Sequence, residues 1–101
     1  TLGTDGLSSN MSLSLWDEMR FALMAHPDIP LKELANSLLM ATTKNSAKAL
    51  KLNTGEISKG KIADLMVTTL PDKLSDENTL ALQLILHTKT SKATIIEGET
   101  V

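Results

Sequence analysis

Helices first, short strands later: the sequence predicts a chain of mixed α+β appearance. Three observations predict it. Apolar residues recur at helical spacing between Ser14 and Leu50, apolar and β-branched residues gather in two short runs near Ile62 and Thr94, and Gly, Pro and Asn punctuate the segments between. The 101 residues fit one modest domain, and a composition of 42% hydrophobic and 22% charged residues is that of an ordinary globular chain rather than a disordered one.

The elements follow in order. Residues Thr1 to Asn10 are rich in Gly, Ser and Asp, which is loop chemistry. A first helix is predicted from Ser14 to Ala25, with Ser14 as N-cap, Asp17 and Glu18 at the positive end of the helix dipole, and Leu15, Met19, Ala22 and Leu23 on one face. His26-Pro27 ends it, because proline cannot continue the hydrogen-bond ladder. A second helix starts with Pro30 at its first position and runs to Ala41, with Leu31, Leu34, Ala35, Leu38 and Leu39 as its apolar stripe. Thr42 and Thr43 interrupt it, and a short third helix covers Asn45 to Leu50.

The second half reads as turns and strands. Asn53-Thr54-Gly55 and Ser58-Lys59-Gly60-Lys61 are turns, Ile57 starts a short strand, and Ile62 to Thr69 forms a longer one. Pro71-Asp72-Lys73 is a loop. Ser75 or Asp76 caps a fourth helix from Glu77 to His87, although a strand through Leu82 to Leu86 is the alternative for so apolar a run. Thr94 to Glu97 is a last strand, turned by Gly98. Such isolated strands want partners that the chain does not obviously supply, since short hairpins are marginal alone. With the chain starting at Thr1 in what reads as the end of a strand, the expectation is a piece of something larger.

Composition removes several function classes. A net charge of −2 with scattered Lys and Arg offers no basic stripe for nucleic acid. The absence of cysteine excludes disulfides, thiolate metal sites and cysteine nucleophiles, and agrees with a cytoplasmic setting. No apolar run approaches the ~20 residues needed to cross a bilayer as a helix, so no membrane partner is expected.

Asp5 is the sharpest chemical feature. A carboxylate where a strand gives way to a loop leading into a helix can bind a divalent metal or take a proton from activated water. The competing reading is a turn residue, since Asp before Gly is common in turns. Ser8, Ser9 and Asn10 follow closely, and their hydroxyl and amide groups suit either a polar substrate or loop solubility and capping. His26 and His87 stand at predicted helix ends, where the negative dipole favours them, and their separation gives no metal-ligand spacing. Glu18 and Arg20 read as a solvated face. The Gly55 to Leu65 segment lacks the spacing of a phosphate loop and reads as a turn feeding a strand, with Asp64 making a local hydrogen bond or ion pair.

Taken in order, these segments resemble the C-terminal part of the amidohydrolase superfamily, in its deaminase and chlorohydrolase branch, which includes S-adenosylhomocysteine and aminofutalosine deaminases. Gly3-Thr4-Asp5-Gly6-Leu7-Ser8-Ser9-Asn10 matches that branch's G-T-D-G-x-x-S-N, followed by Glu18-Met19-Arg20, Met40-Ala41-Thr42, Ser46-Ala47-Lys48-Ala49-Leu50, and Gly55 through Leu65. Lys51 departs from the glycine usual after A-L, and Ser91 to Val101 matches only loosely.

The resemblance implies an α/β fold, the end of a (β/α)₈ barrel plus strands of a small β-sandwich. Residues 1–52 would supply the end of the last barrel strand and the C-terminal helices, and residues 53–101 the sandwich strands and a helix. Asp5 would match the aspartate that binds the metal (zinc or iron) and shuttles the proton of the attacking water, with Ser9 and Asn10 beside the substrate. The implied reaction is hydrolytic deamination of a purine nucleoside-type small molecule such as an aminofutalosine or adenosine derivative. The histidine ligands would come from the remainder of the parent enzyme, so the fragment alone should hold no metal tightly and be inactive. Exposed apolar faces could also join copies into a homo-oligomer. The alternative reading is a small α+β interaction module with no chemistry of its own.

Overall fold

The structure, a computed structural model, describes residues 1–70 and 76–101. It contains α1 (Leu15–Ala25), α2 (Leu31–Thr42), α3 (Lys44–Ala49), β1 (Leu65–Val67), a 3₁₀ turn (Glu77–Thr79), α4 (Leu80–His87), β2 (Ala93–Ile96) and β3 (Glu99–Thr100). The helices agree with the apolar periodicity to within a residue or two at most ends. The strand alternative for Leu82 to Leu86 is replaced by helix α4. The predicted loop at Pro71-Asp72-Lys73 and the cap at Ser75 lie outside the described residues.

Helix α2 is the centre of the helical layer, with α1, α3 and α4 packed on it. Met19 and Leu23 of α1, Leu34 and Ala35 of α2, and Ala81 and Ile85 of α4 form the buried core. Trp16, Leu38, Leu39 and Leu82 pack around it, and so does Leu2. Leu2 therefore pins the segment just before Asp5 to the helical layer. Among the described residues no helix is long and apolar enough to cross a membrane.

The helix boundaries depart from expectation in their chemistry. Pro30 is the N-cap of α2, not its first helical residue, and its backbone carbonyl accepts from the Leu34 N–H. Ser14 is the N-cap of α1, yet its side chain makes no capping bond. Ser12 braces this end instead: its hydroxyl accepts the Ser14 N–H at 3.0 Å and donates to Asp17 at 2.6 Å. Thr43 breaks α2 from α3, with φ −119° and ψ −92°, while its hydroxyl bonds back to the Leu39 carbonyl at 2.7 Å. Asp76 caps the 3₁₀ turn by accepting the Asn78 N–H at 2.9 Å.

β1 is shorter than predicted, β2 keeps its predicted length one residue earlier, β3 was not expected, and the three pair with one another. β1 and β2 run antiparallel with Leu65 opposite Ile95 and Val67 opposite Ala93, and β2 pairs with β3, giving the order β1-β2-β3. Ile57 starts no strand. It is 89% exposed, so nothing on either face gives a strand there a reason to form. The predicted strand from Ile62 to Thr69 shrinks to three residues because its first part is spent on turn contacts: Ile62 N–H donates to the Asn53 carbonyl at 2.7 Å, and Asp64 N–H to the Ile62 carbonyl at 3.0 Å. Asp64 itself acts over a distance, not locally. Its carboxylate accepts the Glu97 N–H at 2.9 Å, fastening the β2–β3 hairpin to the start of β1. Glu97 and Gly98 both have positive φ, 52° and 83°, as a two-residue type I′ hairpin turn requires.

Acid should loosen these ties. Asp17 is held below the usual carboxylate range by the Ser12 hydroxyl and by Arg20, Glu56 by the Lys44 ammonium, and Asp76 by the Asn78 backbone N–H. A depressed folded-state pKa contributes stability above the unfolded value, about 4 for a carboxylic acid, and that contribution is lost as pH falls through the folded value. All three groups are solvent-accessible, so each effect is small. The expected result is a melting temperature that is flat near neutrality and declines below about pH 4. The decline should be shallower in Asp17→Asn, when thermal melts are recorded from neutral to acid pH. An unchanged slope in that variant would show that the Ser12–Asp17–Arg20 contacts contribute nothing to folding.

Candidate functional site

Asp5 lies on the loop between the Leu2 anchor and helix α1. Its backbone is left-handed, at φ 56°, a conformation that Asp tolerates better than most residues because its short side chain can bond locally. Here it does so: Oδ1 accepts the Gly6 N–H at 2.8 Å. The Gly6 carbonyl in turn collects the N–H groups of Ser9 and Asn10, each at 3.0 Å, and the Ser9 hydroxyl at 3.2 Å. The loop thus folds over Gly6 and leaves Asp5 exposed on its outside.

The two other predicted residues take different places. Ser9 is exposed, and its hydroxyl keeps lone pairs after donating to Gly6. Asn10 is half-buried and engaged in holding the loop. Its amide N–H₂ donates to the Thr4 carbonyl at 2.9 Å and to Glu18 of α1, and its Oδ1 accepts the Met11 N–H at 2.7 Å. One carbonyl lone pair remains. Leu7, Met11 and Leu13 project outward from the same stretch and are more than half exposed.

Glu18 and Arg20 are not a solvated face. Glu18 receives Asn10. Arg20 donates from one terminal nitrogen to the carbonyls of Ile85 and Thr88, both at 2.7 Å, and from the other to Asp17 at 2.7 Å. It thereby satisfies carbonyls at the C-terminal end of α4, where a helix has no internal donors left. One signal for this was present: Arg20 is the chain's single arginine beside nine lysines, and a planar, multi-donor guanidinium suits several fixed acceptors where an ammonium does not. His26 and His87 stand at the ends of α1 and α4 as expected, far from Asp5 in sequence and in no ligand cluster.

The donor set can be tested against a divalent metal. Among the described residues no three of His, Cys, Asp and Glu come together, so these residues do not make a complete site. Asp5 fits as a single donor. It is exposed, anionic, oriented by its own loop, and has no Lys, Arg or His in ion-pair range among the described residues. The arrangement can therefore contribute one carboxylate ligand or one proton acceptor to a centre whose other groups come from elsewhere.

Known proteins resemble the chain along its whole length. Residues 1–101 match the amidohydrolase family over their whole length. An adenosine deaminase of Helicobacter pylori is 46% identical over 101 residues, all of this chain but 24% of that protein. An aminodeoxyfutalosine deaminase of a Nitratiruptor species is 41% identical over 98 residues, 97% of this chain and 24% of that protein. The crystal structure of Helicobacter pylori aminofutalosine deaminase superposes with a TM-score of 0.91 at 46% identity, covering 97% of this chain and 24% of the other. The same enzyme in complex with methylthio-coformycin gives a TM-score of 0.89 at 45% identity. The chain thus spans about a quarter of the length of the relatives it matches.

Proposed function

Because the chain belongs to the amidohydrolase family, we propose that it supplies the catalytic aspartate, Asp5, of a metal-dependent deaminase acting on an aminated purine nucleoside. The single observation that carries this reading is the state of Asp5: an exposed carboxylate without a cationic partner among the described residues, set on a loop held by the Asn10 amide and the Gly6 carbonyl. The likeness to deaminases across the whole chain supports the substrate class. The finer architecture is part of the proposal. Thr1 to Asp5 would end a strand of a (β/α)₈ barrel, and β1, β2 and β3 would join a small sandwich. The exposed Leu7, Met11 and Leu13 are side chains that such neighbours would cover.

A divalent cation, zinc or iron, held by Asp5 together with groups outside these 101 residues, would supply the Lewis acidity that makes water nucleophilic near neutral pH. Within the chain, Asp5 does two things. The Gly6 N–H occupies one lone pair of Oδ1 and fixes the carboxylate's direction, which leaves Oδ2 open as ligand or base. As base it takes the proton of the attacking water and returns it to the departing nitrogen, so that ammonia leaves neutral. Ser9, through its free lone pairs, and Asn10, through its remaining carbonyl lone pair, would accept hydrogen bonds from the nucleoside.

The test is hydrolysis by the whole polypeptide that carries this segment, purified metal-free and then reconstituted with Zn²⁺ or Fe²⁺. Aminofutalosine, adenosine and 5′-deoxyadenosine are offered, and ammonia release is followed. The expected outcome is metal-dependent release from at least one of them. No release from any, with either metal bound at stoichiometric level, overturns the proposal.

A further inference from the structure

We infer that Glu18 is a positioning residue for Asp5, acting through Asn10. The inference rests on the proposed role of Asp5 and adds to it the means by which that carboxylate is held. A peptide unit is rigid, so the direction of the Thr4 carbonyl and the direction of the Asp5 N–H are one variable. Fixing that carbonyl therefore fixes the plane from which Asp5 takes its left-handed φ of 56°. The group that fixes it is the Asn10 amide, at 2.9 Å.

An amide on a loop is only as steady as its own anchor. The second N–H of Asn10 goes to the carboxylate of Glu18, a hydrogen bond strengthened by the charge of its acceptor. Glu18 sits on α1 next to Met19, which is 2% exposed in the core and is the most buried residue of that helix. Force on the loop is thus passed to the helical layer in four steps: Thr4 carbonyl, Asn10 amide, Glu18 carboxylate, α1. Leu2, packed against the same core, anchors the chain a little further back on the same N-terminal side of Asp5. The hydrogen bonds of Asp5 itself stay within the loop, so its direction depends on these two anchors.

The chemistry of the pair sets the test. Glutamine at position 18 keeps an acceptor oxygen for Asn10, whereas alanine removes it. In the whole polypeptide, Glu18→Ala is expected to lower kcat about 10–100-fold, the scale of a slightly misplaced catalytic group, with KM within about twofold. Glu18→Gln is expected to stay within about threefold of the unsubstituted protein in kcat. A second readout needs no turnover. In the metal-free protein, amide exchange at Ser9 and Asn10, whose N–H groups bond to Gly6, should quicken about tenfold or more in Glu18→Ala and not in Glu18→Gln, while α1 and α2 exchange as before.

Wild-type kcat in Glu18→Ala, equal loss in both variants, or faster exchange spread through α1 each overturns the inference. Failure of the proposed function would look different: the unsubstituted polypeptide would release no ammonia, while the exchange pattern would still decide whether Glu18 holds the loop.

Discussion

Asp5→Asn is expected to lower kcat by about 10³-fold in the metal-reconstituted polypeptide, the scale for losing a positioned acid–base group, and to leave the fold intact. The two halves of that expectation have separate grounds. After Gly, Asn is among the residues that best tolerate the left-handed conformation, so the φ of 56° at this position does not work against it. Its Oδ1 accepts the Gly6 N–H as the native carboxylate does at 2.8 Å, so the loop keeps its first turn. The change removes only the negative charge and the ability to take a proton. Circular dichroism and melting temperature should therefore match those of the unsubstituted protein, while kcat collapses and bound metal falls. Retention of more than about a tenth of kcat would show that Asp5 is not the base, because acid–base groups contribute about 10²-fold or more.

Gly55→Ala is expected to be the most destabilising of the five glycine-to-alanine changes, at about 3 kcal/mol, with strain and overpacking each supplying a part. Gly55 has φ +91°, which an alanine adopts only with strain. An added Cβ would also stand 2.7 Å from the Ala47 Cβ and 2.8 Å from the Thr43 carbonyl oxygen. Neither neighbour is a flexible side-chain tip. Ala47 is buried in α3, and the Thr43 carbonyl is backbone at the break between α2 and α3, so relief requires moving a helix. The contact also explains why a glycine is needed in a segment that otherwise reads as an ordinary turn: it is where the loop lies directly on α3. Urea unfolding of Gly55→Ala and of the control Gly60→Ala separates the two effects. Gly60 has φ +86°, but a methyl added there would meet nothing within 4 Å, so its variant should show the strain alone. Equal losses in the two would remove the packing contribution.

Much of this was legible in the sequence, for physical reasons that differ by element. Helices α1 and α2 were visible because each carries an apolar stripe that the core uses, Met19 and Leu23 in the first and Leu34 and Ala35 in the second, whereas α4, which buries Ala81 and Ile85, is so apolar that a strand stood as its alternative. The strands were legible only as runs of suitable residues. Strand length is decided by what pairs with it, and no property of Ile62 itself says that its N–H is taken by Asn53. The same holds for Asp64, whose partner lies 33 positions away at Glu97. At the site, Asp5 stood out from its place where a strand end gives way to a loop leading into a helix, while the tasks of Glu18 and Arg20 did not. Glu18 and Arg20 carry charges on a helix one expects to be half solvated, and their acceptors and donors come from Asn10, Ile85 and Thr88, which spacing within α1 cannot name.

Arg20 carries a consequence for how the chain is made. The carbonyls that receive it belong to residues 65 and 68 positions downstream, at the end of α4. As this segment is synthesised, α1 and α2 can wind early, because their contacts are near in sequence. The guanidinium can pair with Asp17 at once, but its bonds to Ile85 and Thr88 must wait until α4 has been made. Contacts of such long separation are the slow ones in folding, since a large loop has to close before they return any energy. Helix α1, which carries both Glu18 and Arg20, is thus fastened to the end of α4 only after the intervening residues have been made.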